Sequence, residues 1–242
     1  MLQKNVEERS PGATIIPVIL SSDKTVVTLF GNKTAYPLYL TIGNLPKEIR
    51  RKPSRHGHIL IGYLPTTRLE QITNKASQRC VAANLFHACL ACITEALKEA
   101  GVRGIQMASG DGVIRRCHPI FADYVGDYPE QLLVTLIKNG KCPTCEVPHD
   151  ELGEDCNVKH PFRDLNKILD ALASISEGST IFARNCRNAG IKPVQHPFWE
   201  DLPYANVYRA ITPDILHELY QGVMKHLIAW IIEAYGAAEI DA

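Results

Sequence analysis

Two aspartates stand where apolar, β-branched runs break off. Asp23 interrupts one such run in LSSDKT, and Asp127 closes IFADYVGD just before Tyr128-Pro129. A carboxylate at a strand end can point into a site while the strand fixes its backbone. Two of them on adjacent strands could hold a Mg²⁺ or Mn²⁺ pair, which clamps the attacking and leaving oxygens of an in-line phosphoryl displacement. Each residue also has a plainer reading. Asp23 taken alone reads more readily as a turn residue between two hairpin strands. Asp111 in SGDGV and Asp123 rival Asp127, although Asp-Gly is a turn signal and points Asp111 to loop shaping. Spacing alone does not bring Asp23 and Asp127 together.

A second constellation is Cys142-Pro-Thr-Cys145. Two thiolates three apart on a knuckle turn can bind one zinc at about 2.3 Å and need two more ligands. The residues of suitable type are His149, Cys156, His160, His196, Asp214, His217 and His226. Cys156 and His160 would complete a local, finger-like set. Asp214 and His217 would place two ligands near one face of the first turn of the last helix. A redox reading needs a βαβ context that the surroundings lack, and an unmetallated loop is the plain alternative. His87, Cys89 and Cys92 fall on an apolar helix face, where cysteine acts as a small hydrophobe. The basic run Lys47–His56, with Arg50, Arg51, Lys52 and Arg55, reads as a solvated loop unless it borders the carboxylates, where it would contact phosphates. Neither a phosphate-binding glycine loop nor a nucleophilic-serine elbow is present.

The elements that must position these groups alternate in type. Strands are expected at Thr14–Leu20, Thr25–Phe30, Ala35–Ile42 and His58–Leu64, with Pro37 favouring an edge or a bulge. A helix follows over Ser77–Ala100, its stripe Val81, Leu85, Cys89, Ile93 and Leu97, and Gly101 is expected to stop it. Ile114–Val125 is a further strand. After a Cys-, His- and acid-rich stretch over Lys141–His160, helices are expected at Asp164–Ser176 and Thr180–Ala189. A last helix has Thr212 as cap, Pro213 in its first position and Asp214 at its positive end. The 242 residues carry 26 basic and 26 acidic side chains and are 45% hydrophobic and 21% charged, which argues against a disordered chain. Neutrality excludes a globally basic nucleic-acid binder but not a local basic groove. The eight cysteines, without an apolar leader in MLQKNVEERSPG, read as thiols and metal ligands. No apolar run reaches the roughly 18 residues of a membrane span.

The blocks GATIIPVILSSDKT, YPLYLTIGNLPKEIRRKPSRH, FADYVGDYPEQLLVTLIKNGKCPTC, HPFWEDLPY and TPDILHELYQGVMKHL closely resemble the Plavaka transposases of fungal genomes, which group with CACTA-type cut-and-paste elements. The resemblance runs over nearly the whole chain from about Gly12. It implies an α/β, RNase H-like mixed sheet with flanking helices, a D-D-E triad, and a zinc-binding, largely helical insertion between the second and third acids. Carried over, Asp23 matches the first acid, Asp127 the second, Cys142 and Cys145 the C-x-x-C, and Asp214 with His217 the D-x-x-H. That favours His217 and Asp214 over Cys156 and His160 as zinc ligands. Of the later acids Glu233, Glu239 and Asp241, none has the family's context, with Glu233 the weak candidate. The chain is therefore expected to stop before the third acid, to lack the N-terminal DNA-binding portion, and to be inactive. The implied organisation is a disordered segment over 1–12, the first two acids in a core over 13–135, and the insertion over 136–242. The implied partners are transposon-end and target DNA and further copies of the chain, with Mg²⁺ or Mn²⁺ and structural Zn²⁺ as cofactors, no membrane, and a nuclear location. The competing reading is a non-catalytic, zinc-stabilised DNA- or protein-binding module derived from such a core.

Overall fold

The β-branched run beginning at Thr14 forms β1 (Thr14–Ser22), two residues longer than its apolar stretch. A computed structural model describes residues 7–8, 11–28, 33–154 and 159–236, so Cys156, Glu239 and Asp241 lie outside the described residues. Among the described residues of the expected second strand, Thr25–Val26 is β (β2). It pairs with β3 (Thr34–Ala35) as a small ribbon apart from the main sheet. That sheet contains β1, β4 (Pro37–Ile42), β5 (Ile59–Tyr63), β6 (Ile105–Ala108) and β7 (Ile114–Gly126) in the order β5-β4-β1-β7-β6. A short β8 (Ile211–Pro213) pairs with the end of β7. Pro37 opens β4, and a bulge follows it between Leu38 and Tyr39 opposite β5, which spares the ladder the missing N–H.

The sheet is mixed. β4 runs antiparallel to both β1 and β5, and β6 antiparallel to β7, whereas β1–β7 and β7–β8 are parallel. A parallel neighbour requires a crossover. Here it runs through α1 (Lys75–Arg103) and the β6–β7 hairpin. The Asn74 side chain caps α1, accepting from Ala76 N at 2.9 Å and Ser77 N at 3.0 Å. Gly101 does not stop the helix. It is buried, and a Cβ there would stand 2.6 Å from Pro203 Cγ. Gly104, at φ 70°, ends the helix instead. The buried stripe is Ala83, Phe86, His87, Leu90 and Thr94, while Val81, Ile93 and Cys92 are exposed. α1 is apolar around much of its circumference, so helical spacing fits more than one stripe. Packing against β7 selects the one that is buried. By length and composition α1 would suffice to cross a membrane. Here its inner face joins the protein core, and Glu95, Lys98, Glu99 and Arg103 make ion pairs on its outer side.

Past β7 come α2 (Tyr128–Val134), α3 (Leu165–Ala173), a 3₁₀ turn over Ser174–Glu177, and α4 (Ser179–Asn188). The segment after α4 is a loop only in its backbone. Phe198, Trp199, Leu202, Val207 and Tyr208 are buried in one cluster with Val18, Leu20, Leu38 and Tyr124 of the sheet. Trp199 Nε1 donates to Val134 O at 2.8 Å and Tyr208 OH to Thr135 O at 3.2 Å, so the loop braces the end of α2. Thr212 and Pro213 are strand residues rather than a cap and first turn, because β7 recruits them: Val125 pairs with Thr212 and Gly126 with Pro213. Asp214 is the cap. It begins a π-helical segment, Ile215–Met224, continued by α5 (Lys225–Tyr235), and no residue of either is buried.

Candidate metal and nucleic-acid site

Strand register brings the two aspartates together. A one-residue shift between Val18 and Ile19 sets Ile19 opposite Asp123, Leu20 opposite Tyr124 and Ser21 opposite Val125. Continued two residues past that last pair, one beyond the ends of both strands, the register sets Asp23 beside Asp127, on parallel neighbours about 4.8 Å apart. Without the extra residue in β7, Asp23 would face Gly126. Continuing the β7–β8 register, with Gly126 opposite Pro213, sets Asp214 on the other side of Asp127. The Asp214 N–H donates to Gly126 O at 3.1 Å, which fixes that alignment. Three aspartates thus follow the carboxyl ends of the neighbouring strands β1, β7 and β8.

Their immediate surroundings differ. Asp23 is exposed and accepts from Thr25 Oγ1 at 3.2 Å. Asp127 caps α2 by accepting from Glu130 N at 2.9 Å. Asp214 accepts from His217 N at 3.0 Å, and its second oxygen is bonded to His217 Nδ1. That bond lifts the His217 pKa above its ordinary value, with the charges of Asp214, Asp23 and Asp127 adding to the rise. The imidazole therefore lies in the field of all three acids. The His217 bonds hold Asp214 below the usual carboxylate range although burial pulls the other way. Glu218, raised by burial and by the charges of Asp127 and Asp214, accepts from Gln131 Nε2 at 3.0 Å.

Behind Asp127 lies a group with no sequence signal. Glu130 is buried and receives bonds from Ser22 Oγ, from Tyr36 OH at 2.5 Å and from Tyr124 OH at 3.2 Å, while Ser22 Oγ and Tyr124 OH are 2.6 Å apart. Burial, with the Asp127 charge adding, outweighs those bonds and pushes its pKa up to about 7. In sequence Glu130 is merely a first-turn acid. Asp23, Asp127 and Glu130 border a cavity of about 800 Å³ whose apolar walls include Leu64, Phe86 and Val194. Lys24, Arg79, Lys138 and Lys192 supply its positive charge. Lys192 donates to Leu132 O at 2.8 Å, and burial lowers its pKa to about 8.

The rival acids take other roles. Asp111 chelates Arg115 with two bonds, at 2.9 and 2.8 Å, in an exposed turn. Asp123 accepts from Thr212 Oγ1, tying β7 to β8. Glu233 is exposed on α5, which chiefly contacts the π-helical segment before it. The basic run forms a helical turn, Lys47–Arg50, and a 3₁₀ turn, Pro53–Arg55, after β4. Because Ile42 pairs with Val18, that turn lies at the opposite end of β1 from Asp23, about 17 Å away along the strand. Arg50, Arg51, Lys52 and Arg55 therefore do not border the acids.

Cys142 and Cys145 form a separate knuckle. The N–H groups of Thr144 and Cys145 both approach Cys142 Sγ at 3.4 Å. These bonds, overcoming burial, draw its pKa below the ordinary thiol value, while burial raises that of Cys145. A short antiparallel ladder pairs Cys145 with Phe162, with Arg163 N donating to Thr144 O at 3.1 Å and Glu146 N to Pro161 O at 3.0 Å. The ladder sets His160 next to the knuckle, 3.3 Å from Glu151. His149 is exposed against Gly140, His196 pairs with Glu200, and His226 lies against Trp230. His87 is a core residue, bonded to Leu133 O at 3.0 Å and lowered by burial to about 4. Among the described residues no group of three or more His, Cys, Asp and Glu is arranged to hold a metal ion.

No curated protein matches the chain. The family model of the Plavaka transposases matches residues 1–231. With nearly the whole chain so covered, the protein belongs to the Plavaka transposase family.

Proposed function

We propose that this chain is the RNase H-like core of a DDE-type DNA transposase, with Asp23 and Asp127 as its first two acids. The observation that supports the reading is the β1–β7 register, which, continued past its last pair, sets the Asp23 and Asp127 positions on neighbouring parallel strands. Family membership supports DNA as the substrate class; the reading adds a nuclear place of action and assembly with further copies of the chain. The donor set fits a hard divalent cation, since Mg²⁺ is commonly bound by one or two carboxylates plus substrate phosphate oxygens. Asp23 and Asp127 would hold it. When bound, the ion supplies activation of the attacking oxygen and neutralisation of the leaving one. Around it, α2 and the Glu130 network fix the backbone and carboxylate of Asp127, and Lys24, Arg79 and Lys138 offer charge to the DNA backbone. Cys142 and Cys145 serve a structural Zn²⁺. The ladder favours His160 as a further ligand over His217 and Asp214.

Glu233 stands on an exposed helix, so among the described residues it does not complete a triad with Asp23 and Asp127, and strand cleavage is expected at background. The test combines Mn²⁺ binding by electron paramagnetic resonance, zinc content, and nicking of supercoiled plasmid. Wild-type protein should bind Mn²⁺, with binding lost in Asp23→Asn and Asp127→Asn, and should hold about one zinc with no nicking. Nicking abolished by Asp127→Asn would make the chain an active nuclease. Mn²⁺ binding indifferent to both aspartates would overturn the reading.

A further inference from the structure

We infer that the Asp214–His217 pair is a phosphate-binding element of the strand-end site, with His217 as a substrate-contacting residue, and not part of the zinc site. The inference rests on the reading of Asp23 and Asp127 given above. Three placements carry it. First, β8 delivers Asp214 to the same edge as Asp127, through the ladder and the Asp214 N to Gly126 O bond. Second, both Asp214 oxygens are engaged by His217, one with its backbone N–H and one with Nδ1, so the carboxylate serves the imidazole. Third, Asp23 and Asp127 both act on His217 electrostatically, whereas the cysteine knuckle finds its neighbours in its own ladder to Phe162 and Arg163.

The chemistry follows from charge. A DNA phosphate approaching Asp23 and Asp127 meets like charge, and a hydrogen-bond donor held at the same edge relieves part of that repulsion. Through Nδ1 the imidazole is anchored to Asp214. Its Nε2 has no hydrogen-bond partner among the described residues, and the side chain remains about one-third exposed (36%). As an imidazolium it donates Nε2–H to a phosphate oxygen in a charge-assisted bond. The wide turns of the π-helical segment carry His217 on its first turn, and such segments occur often at functional sites.

The test uses the full chain labelled with ¹⁵N-histidine, a duplex DNA of generic sequence as probe, and Ca²⁺ in place of a cleavage-supporting ion. The His217 Nε2 resonance, assigned by its loss in His217→Asn, should shift on adding duplex, while that of His226 stays put. Duplex affinity should fall about tenfold in His217→Ala, the worth of one charge-assisted bond, and recover in His217→Lys. The salt slope should fall by about one in the alanine variant. Zinc content should be unchanged in His217→Asn. An Nε2 resonance indifferent to DNA, or zinc lost from His217→Asn as from Cys142→Ser, overturns the inference. If Mn²⁺ binding still depends on Asp127 in that case, the functional reading stands. Mn²⁺ binding independent of Asp23 and Asp127 overturns that reading itself, and the inference with it.

Discussion

The strand-end acids and the cysteine knuckle are both small polar constellations, yet they are specified in opposite ways. Asp23 and Asp127 come from strands joined by a long crossover, and it is the parallel β1–β7 ladder that sets them on neighbouring strands. Behind them Ser22, Tyr36, Tyr124 and Glu130 interlock in the core. The knuckle draws everything from one local stretch, Cys142 to Arg163, closed by a few backbone bonds and by Arg163 donating to Cys142 O at 2.9 and 2.8 Å. A site built by global register is as stable as the fold. A site built by a local turn can open while the fold persists.

The largest expected effect tests the buried side of this comparison. In the folded protein Glu130 keeps its proton up to about pH 7, against an ordinary value of 4.5. Between those values the native state binds the proton and the unfolded chain does not, so stability falls as pH rises through this window and is level above it. The full drop is about 3 kcal/mol, since one pKa unit corresponds to about 1.4 kcal/mol. Glu130→Gln does not titrate but keeps an acceptor for Tyr36. In urea unfolding it should therefore gain on wild type from pH 4.5 to 7.5, whereas parallel curves would show that the carboxyl is solvated.

The second effect concerns the knuckle. Cys142→Ser should release the proposed Zn²⁺ and free the ladder, at a cost of about 2 kcal/mol for two or three net backbone bonds. Hydrogen exchange should quicken at Glu146 and Arg163 and stay slow at Leu20 and Tyr124. Exchange that quickens everywhere would make the knuckle part of the global fold.

The same contrast explains what could be read from the sequence. Asp23 and Asp127 were legible because a β-branched run that breaks at a polar residue is a local signal, and Cys142-x-x-Cys145 is legible for the same reason. That the two acids meet was not, because the register turns on one extra residue near Ala122 and on a crossover that local patterns do not encode. β8 is three residues long, too short for any alternation, so Thr212-Pro213-Asp214 read as a helix start. The stripe of α1 was misread because that helix offers more than one apolar face. Glu130 was invisible because burial, not residue type, gives it its character. The segment HPFWEDLPY offers no helix or strand period, and its backbone is a loop, although Phe198 and Trp199 are among the most buried side chains of the protein.

The smallest effect separates the two duties of Asp127. Its carboxylate faces the strand-end site and also caps α2 through Glu130 N at 2.9 Å. Asparagine caps about as well as aspartate, and alanine does not. Asp127→Asn should then keep wild-type stability while losing Mn²⁺ affinity, and Asp127→Ala should lose the same affinity plus about 1 kcal/mol in denaturant unfolding. The difference between the variants isolates the cap, and their common loss isolates the metal role. If Asp127→Asn were as destabilised as Asp127→Ala, the charge itself would be holding the helix start. The strand-end site would then be coupled to folding through electrostatics as well as register, because Glu130 and Glu218 both feel that charge.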